Sequence, residues 1–193
     1  MNEATTSPST AGPQVLPISC TLADGRTCVI RPMVESDAEE LIALIPTTHL
    51  ESDGLKYLPG EFKMTVEQER EYLRQRVNNP KMIGFVAVVE GRIVALAGAW
   101  SQDFRRLAHH AELGVTVVKE FWGLGLGRKM MEVVLDWGAH RGLRKMYLQV
   151  FDHNERAIRL YRDMGFVEEG RLREDILRGD GTYGDTIVMA RYY

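Results

Sequence analysis

Apolar positions along the chain recur with two different periods, and the change from one to the other predicts where strands and helices lie. Alternating or continuous apolar runs, which are typical of strands, occupy residues 18–23, 26–31, 82–89, 93–100, 111–118, 145–151, 166–177 and 184–192. Helical spacing of three and four residues follows Ser36, Thr65, Gly127 and Asn154. Elements in this order predict an α/β fold, in which helices cover the faces of one mixed sheet.

Local signals set the predicted ends of the first two helices. Capping boxes that begin at Ser36 and Thr65 predict the helix starts, because their side chains can bond the first free N–H groups. Pro46 has no N–H and is expected to end the first helix, which leaves residues 46–64 irregular. The second helix is expected to reach about Val77.

The beginning of the chain differs in composition from the rest. Residues 1–14 are rich in Ser, Thr and Pro and carry almost no bulky apolar groups. Such a segment buries too little surface to offset the entropy lost on ordering, so we expect it to be disordered. The remainder, 18–193, has the length of a single domain, and an apolar share of 45% is enough for a core.

Charge and hydropathy exclude several classes of protein. The 24 Lys and Arg residues against 27 Asp and Glu residues give a net charge of −3, which argues against a protein that binds nucleic acid. No apolar run approaches the length of about 18 residues needed to span a membrane. Since the chain also lacks the pattern of a signal peptide, we expect a cytoplasmic protein with no membrane partner.

Cysteine and histidine usage gives no sign of a metal site. Cys20 and Cys28 are too few for a disulfide framework or a four-ligand zinc cluster, so we expect a structural role for both on the first hairpin. The neighbours His109 and His110 point to opposite sides of an extended chain. We expect this pair to lie in a loop just outside the strand 111–118, and we expect no metal.

The most informative local feature is a cluster of glycines at Gly123, Gly125 and Gly127, between a strand and a helix. The first turn of a helix has unpaired N–H groups and partial positive charge, and glycine lets an anion approach the backbone. Arg128 lies in that first turn, where a cation is unfavourable unless an anion binds nearby. The pattern predicts a phosphate site; the alternative is an ordinary tight turn with surface cations.

Two well-known phosphate motifs do not fit this turn. The dinucleotide fingerprint G-x-G-x-x-G requires a glycine where the chain has Arg128, and the P-loop spacing is absent. A nucleotide-dependent oxidoreductase is therefore the least favoured interpretation.

Two motifs together give the chain a family resemblance. The turn Trp122-Gly123-Leu124-Gly125-Leu126-Gly127 is similar to the form Q/R-x-x-G-x-G/A, although Trp122 replaces the usual Gln or Arg. The segment 154–166, NERAIRLYRDMGF, is similar to N-x-x-A-x-x-L-Y-x-x-x-G-F. In this order, residues 113–166 resemble the core of the GNAT superfamily of N-acetyltransferases. The order of elements agrees from about residue 26 to residue 193.

The resemblance implies a GNAT-like fold with a mostly antiparallel mixed sheet and about four helices, and an acetyl-CoA core at about residues 111–166. Acetyl-CoA is expected as co-substrate, with its pantetheine arm lying beside the first strand of that core, where the strand diverges from its neighbour. The residues expected to contact it are Val115, Thr116, Val117, Trp122, Gly123, Leu124, Gly125, Leu126, Gly127, Arg128 and Asn154. Asn154 is also expected to cap a helix, and both roles can hold together.

Two catalytic candidates follow, one from the matched motif and one from the alternation of the strand 111–118. Tyr161 is the expected general acid, because a phenol of pKa about 10 can protonate a leaving thiolate whose conjugate acid has a pKa near about 8.5. The alternative is a core aromatic. Glu112 alternates away from Leu113 on its strand and is the expected general base; the alternative is an exposed strand charge.

The implied activity is acetyl-CoA-dependent N-acetyl transfer, in which a primary amine attacks the thioester directly and no acyl-enzyme forms. The alternative is a non-catalytic acyl-CoA-binding sensor on the same scaffold. The acceptor, a small-molecule or peptide amine, is expected at the last hairpin and at the stretch 46–64, which contains Tyr57, Glu61 and Phe62. The resemblance leaves a homodimer open.

Overall fold

A computed structural model describes residues 17–52, 54, 55, 57, 58 and 60–193, so the expected disorder of residues 1–14 lies outside the described residues. The strands are β1 (Ile18–Thr21), β2 (Thr27–Pro32), β3 (Met82–Val89), β4 (Arg92–Ser101), β5 (His110–Val117), β6 (Lys145–Phe151), β7 (Val167–Leu177) and β8 (Tyr183–Tyr192). The α-helices are α1 (Ala38–Glu51), α2 (Val66–Asn78), α3 (Leu126–His140) and α4 (Glu155–Asp163). Short 3₁₀ turns precede α1 at Glu35–Asp37 and α3 at Lys119–Phe121.

All eight strands form one sheet in the order β1-β2-β3-β4-β5-β6-β8-β7. Every neighbouring pair is antiparallel except β5 and β6, which are parallel. This confirms the predicted mixed, mostly antiparallel sheet with four flanking helices. The parallel pairing is short, because only residues 110–112 of β5 pair with residues 145–147 of β6. Beyond that point the two strands separate.

Helices cover both faces of the sheet. On one face, α3 packs through buried apolar side chains such as Met130, Met131 and Val134. On the other face, the Arg76 side chain of α2 packs directly over Gly84 and Gly98, two glycines of β3 and β4. Because α3 and α2 pack on opposite faces of the sheet, the core consists of two layers with the sheet between them.

The start and end of α1 differ from the prediction. The N-cap position is Asp37, not Ser36, and its side chain makes no capping bond to α1; the carboxylate accepts instead from the Val34 N–H and from the Arg31 guanidinium. The helix also continues through Pro46 to Glu51. A helical proline removes one N–H bond and typically costs about 3 kcal/mol.

The bond lost at Pro46 is the one that would reach the Ile42 carbonyl, four residues earlier. The hydroxyls of Thr47 and Thr48 donate to the Ala43 and Ile45 carbonyls, so they do not replace it. Buried side chains on both sides of Pro46, Leu44 and Thr48, keep the helix packed through this turn. The other predicted capping box is confirmed, since Thr65 accepts from the Gln68 N–H at 3.2 Å.

The two cysteines lie opposite each other on β1 and β2 as free thiols, Cys28 fully buried and Cys20 half-buried. Among the described helices, none is both long and apolar enough to cross a bilayer.

Candidate active site

The glycine turn presents a row of free backbone donors at the start of α3. Gly123 and Gly125 have positive φ angles of 80° and 85°, which favour glycine, and Gly125 is the N-cap of the helix. No N–H group of residues 123–128 donates a hydrogen bond to any residue that the structure describes. These donors converge at the positive end of the helix dipole, which is a suitable arrangement for an anion.

Neighbouring segments hold this turn in place. The Trp122 indole N–H donates to the Val117 carbonyl at 2.7 Å, which ties the turn back to β5. The Ala23 N–H donates to the Leu124 carbonyl at 3.2 Å, so the loop between β1 and β2 touches the turn as well. The Arg26 guanidinium in that loop lies 4.2 Å from the centre of the Phe121 ring. The sequence did not predict these contacts between the β1–β2 loop and the turn, because no local signal links residues so far apart.

The expected cofactor residues are therefore mostly backbone contributors. The Leu126 side chain is fully buried, and the Leu124 side chain packs on the core, so both can offer only main-chain groups to a ligand. Arg128 extends from the first turn of α3 to Asp163, 3.5 Å away on α4.

A cleft opens beside the turn where β5 leaves β6. Beyond Glu112, the edge of β5 that faces β6 has no strand partner, while its other edge stays paired with β4. An extended ligand with amide groups can pair with such an edge as an added strand. Val115, Thr116 and Val117 lie on this open edge and are half-buried, so the residues present fit the pantetheine arm of acetyl-CoA.

Glu112 and Tyr147 face each other at the apex of this cleft. They form the last registered pair between β5 and β6, and the Tyr147 hydroxyl donates to Glu112 Oε2 at 3.1 Å. Burial, and then the Glu112 carboxylate, raise the pKa of Tyr147 to about 12. Glu112 is half-buried and hydrogen-bonded, which differs from an exposed strand charge. Tyr147 was missed; its only signal was its place between two buried residues of a strand.

The histidine pair lies closer to this apex than the sequence suggested. His110 is the first residue of β5, not part of the loop outside it, and its ring centre lies 5.4 Å from that of Tyr147. Burial lowers the pKa of His110, and the charges of His109 and Lys145 lower it further. His110 lies in the strand, and not in the loop as predicted, because its parallel pairing with Lys145 extends β5 by one residue.

Helix α4, which contacts the turn through Leu160, carries Asn154 at its N-cap and Tyr161 two turns later. Asn154 Oδ1 accepts from the Ala157 N–H at 3.2 Å, which confirms its predicted capping role. Tyr161 is only 8% exposed, its ring lies against Phe166, and burial raises its pKa to about 12. Its hydroxyl bonds no other described residue. Gly54, in the segment after α1, lies so close to the Asn154 amide that a Cβ there would collide with it.

A cavity of about 440 Å³ lies along the exposed side of α4, next to the turn, and we call it the α4 cavity. Its lining residues are Glu155, Arg156, Arg159, Leu160 and Asp163. The Arg156 guanidinium lies 4.5 Å from the centre of the Trp122 ring. The sequence prediction did not include these arginines, because the family motif leaves their positions unspecified.

A second cavity, of about 70 Å³, lies between α1, α2 and β4, and we call it the α2 cavity. Its lining residues are Met33, Leu41, Ile45, Glu69, Tyr72, Arg76, Leu96, Ala97 and Gly98. Leu96 and Gly98 pair with Thr116 and Gly114 on β5, so the α2 cavity is one strand away from the open edge and on the sheet face of Glu112.

Glu69 is the unusual member of the α2 cavity. It is 4% exposed, and burial raises its pKa although the nearby Arg76 opposes the shift. Arg76 itself donates to the Ile83 carbonyl and to the Tyr72 hydroxyl. Sequence reasoning missed Glu69 on a polar helix; the available signal was its spacing of four residues before the buried Leu73.

The residues predicted to recognise the acceptor lie mainly within their own loop. The Tyr57 ring lies between His49 and Phe62, at centre distances of 5.5 and 5.9 Å. The Glu61 carboxylate accepts from the Leu58 N–H at 2.9 Å, which fixes the loop locally.

Comparison with known proteins identifies this arrangement. The family model of the acetyltransferase (GNAT) family matches residues 50–166. The spermidine N(1)-acetyltransferase of Escherichia coli (strain K12) is 32% identical over 88 residues, which are 45% of this chain and 47% of that protein. This chain therefore spans about half the length of that curated relative.

Solved structures share the whole architecture. The crystal structure of an acetyltransferase of the GNAT family from Streptococcus pneumoniae superposes with a TM-score of 0.83 at 26% identity, over 86% of this chain and 99% of that one. A Salmonella typhimurium protein whose structure contains its cofactor acetyl-CoA has a TM-score of 0.75 at 18% identity, over 86% of this chain and 93% of that one. The predicted GNAT-like fold is confirmed.

Proposed function

The chain belongs to the acetyltransferase (GNAT) family, and from that premise we propose that it is an N-acetyltransferase that uses acetyl-CoA to acetylate a primary amine. The observation that carries the proposal is the row of unpaired N–H groups at residues 123–128 beside the open edge of β5. Acetyl-CoA supplies, when bound, an acetyl group activated as a thioester. The two features match its pyrophosphate and its amide-bearing arm.

The proposed contacts follow the order of groups along acetyl-CoA. The free N–H groups of the turn hold the pyrophosphate, with Arg128 adding positive charge close to it. The main chain of residues 115–117 holds the pantetheine arm along the open edge. Asn154 contacts the cofactor from the start of α4, and Trp122 acts through the backbone that it fixes.

The acceptor needs a base, because a free alkylammonium has a pKa of about 10.4 and cannot attack while protonated. We assign this role to the Glu112 carboxylate, which Tyr147 orients by its hydrogen bond. The neutral nitrogen attacks the thioester carbon directly: a C–N bond forms, the C–S bond breaks, and Tyr161 donates its phenolic proton to the departing sulfur. The acylated nitrogen then loses its extra proton, which returns through solvent to the Tyr161 phenolate. Burial, and then the neighbouring Cys20, raise the pKa of the Cys28 thiol to about 12, which supports a route without an acyl-enzyme.

The acceptor is a small-molecule or peptide amine that enters on the face of Glu112. The α2 cavity lies on that face, and its lining includes the buried Glu69 carboxyl and the Arg76 guanidinium. The two free thiols suit a reducing compartment, and we propose the cytoplasm. A homodimer stays a prediction, to be checked by light scattering of the purified protein.

Two measurements test the proposal and separate it from an acyl-CoA-binding sensor on the same scaffold. Calorimetry of acetyl-CoA binding should show saturable heat, and thiol release should then appear when amines from a panel are added. Binding without thiol release for any amine would favour the sensor. Absence of binding would contradict both functions. Mass spectrometry of the products, looking for the gain of one acetyl group, identifies the acceptor.

A further inference from the structure

Two arginines on α4 have no anionic partner among the described residues beside the proposed cofactor site. Arg156 and Arg159 are one helical turn apart and both line the α4 cavity. Neither forms an ion pair or a hydrogen bond with any described residue. By contrast, arginines elsewhere on the surface, such as Arg31 and Arg74, contact carboxylates at 2.7 and 2.6 Å.

Arg156 is held in one position despite the lack of an anionic partner. Its guanidinium lies over the Trp122 ring, whose N–H is fixed to the Val117 carbonyl on the other side. Partial burial lowers the pKa of Arg156, so the charge is partly removed from water with no carboxylate to compensate. Such an arrangement fits an arginine prepared for an anionic ligand.

The charge balance of the α4 cavity also favours an anion. Its lining includes the carboxylates of Glu155 and Asp163. Asp163, however, is 3.5 Å from the Arg128 guanidinium. Arg128 therefore offsets one carboxylate, and the two free arginines of the cavity face only the other.

The position of the α4 cavity identifies which part of the ligand would reach it. Leu160, which lines the cavity, is also the nearest contact of a Cβ placed on Gly127, at 3.5 Å. Trp122 begins the same turn. A pyrophosphate on the N–H groups of residues 123–128 would therefore place the following ribose and its 3′-phosphate next to Arg156 and Arg159.

We propose that Arg156 and Arg159 bind the 3′-phosphate of the cofactor, with Trp122 as the platform for Arg156, so that the protein distinguishes coenzyme A from its 3′-dephospho form. This inference rests on the proposed function, because the pyrophosphate site orients the ligand. It also explains Trp122: where the family usually has Gln or Arg, this chain supplies the cation from α4 instead.

The test compares coenzyme A with 3′-dephospho-coenzyme A by calorimetry on the full chain. The wild type should bind coenzyme A about tenfold more tightly, since charge-assisted contacts to phosphate are strong, and added salt should reduce the difference. The double variant Arg156→Ala/Arg159→Ala should bind both ligands with similar affinity, close to that of the wild type for the dephospho form. Arg162→Ala, on the same helix but outside the cavity lining, is the matched control and should keep the discrimination.

The outcomes separate this inference from the proposed function. If the wild type binds both ligands equally well, the phosphate site is wrong while the acetyl-CoA function stands. If it binds neither, the proposed function itself fails. Loss of discrimination in Arg162→Ala to the same degree as in the double variant would also overturn the inference, because the effect would then reflect general charge. Circular dichroism of each variant checks that α4 is retained.

Discussion

At the residue scale, the half-buried Tyr147 and the buried Tyr161 are distinguished by their partners. Burial raises the pKa of both to about 12, so both are protonated at neutral pH. The Tyr147 proton is already donated to Glu112, whereas the Tyr161 hydroxyl bonds no other described residue. Tyr161 therefore has a proton available for a leaving group, and Tyr147 is a positioning residue for the carboxylate.

Tyr161→Phe should lower kcat about 100-fold, the usual scale for loss of a general acid. The affinity for acetyl-CoA should change little, because the ring and its packing against Phe166 remain. Steady-state kinetics and calorimetry measure the two quantities separately. A parallel loss of turnover and affinity would show that Tyr161 has a structural role instead.

Glu69 gives a prediction about stability and pH. Burial raises the pKa of Glu69 above that of an ordinary glutamate, so the folded state holds this proton more tightly than the unfolded state. The stabilising contribution is complete below the unfolded pKa and is lost as the pH rises through the folded one. Glu69→Gln should therefore equal the wild type in stability at low pH and exceed it at neutral pH, as measured by urea unfolding. A constant difference across this range would contradict the assignment.

At the element scale, the three glycines of the turn differ in whether the backbone conformation or the surrounding space limits a side chain. Gly123 and Gly125 have positive φ, so a side chain there strains the backbone. Gly127 is helical, and a Cβ there would make ordinary contacts with Leu160 and Val117 at 3.5 and 3.9 Å. Two glycines are therefore required by the backbone of the turn, whereas the third lies in the helix and has room for a methyl group.

Gly127→Ala should leave the melting temperature unchanged or slightly raised, because alanine favours a helix by about 1 kcal/mol over glycine. It should also keep most of the acetyl-CoA affinity, since the motif accepts alanine at this position and the added methyl group would lie against Leu160 and Val117. Gly125→Ala is the contrasting variant and should lower both the melting temperature and the affinity, because a side chain strains the backbone at its positive φ. Thermal unfolding with and without acetyl-CoA measures both effects. A loss of affinity in Gly127→Ala as large as in Gly125→Ala would contradict this division of roles.

At the scale of the whole molecule, the site depends on contacts between distant parts of the chain. The cleft exists because β5 pairs with β6 over three residues and then separates from it. The loop between β1 and β2 supports the turn, where Arg26 contacts Phe121 and donates to Glu120, 94 residues away. The N-terminal hairpin therefore belongs to the cofactor site although it contributes no expected ligand contact.

Arg26→Ala should weaken acetyl-CoA binding more than it affects the overall fold, because it loosens the turn and leaves the core intact. Glu39→Ala is the control, since it removes another exposed ion pair, to Arg70, far from the turn. Calorimetry with acetyl-CoA and thermal unfolding should show a loss of affinity only for Arg26→Ala. Equal affinities for the two variants would mean that the turn is rigid without the hairpin.

The sequence determined the features that arise from neighbouring residues. The strand, glycine turn and helix around residues 111–140, the Thr65 cap and the Asn154 cap all follow from backbone preferences and side chains within a few positions. The motif at residues 154–166 also named Tyr161, and strand alternation named Glu112, as candidates. The end of α1 was predicted wrongly at Pro46, because a local helix breaker is outweighed there by the burial of Leu44 and Thr48 on either side.

The tertiary structure decided what distant residues do together. It brought Tyr147 to Glu112 through a parallel pairing of strands 35 residues apart, Arg26 to the glycine turn, and Arg156 to Trp122. It also buried Glu69 on a helix whose sequence is mostly polar. Local preferences carry no information about such contacts, because strand order and helix docking are set by the burial of the whole apolar surface at once.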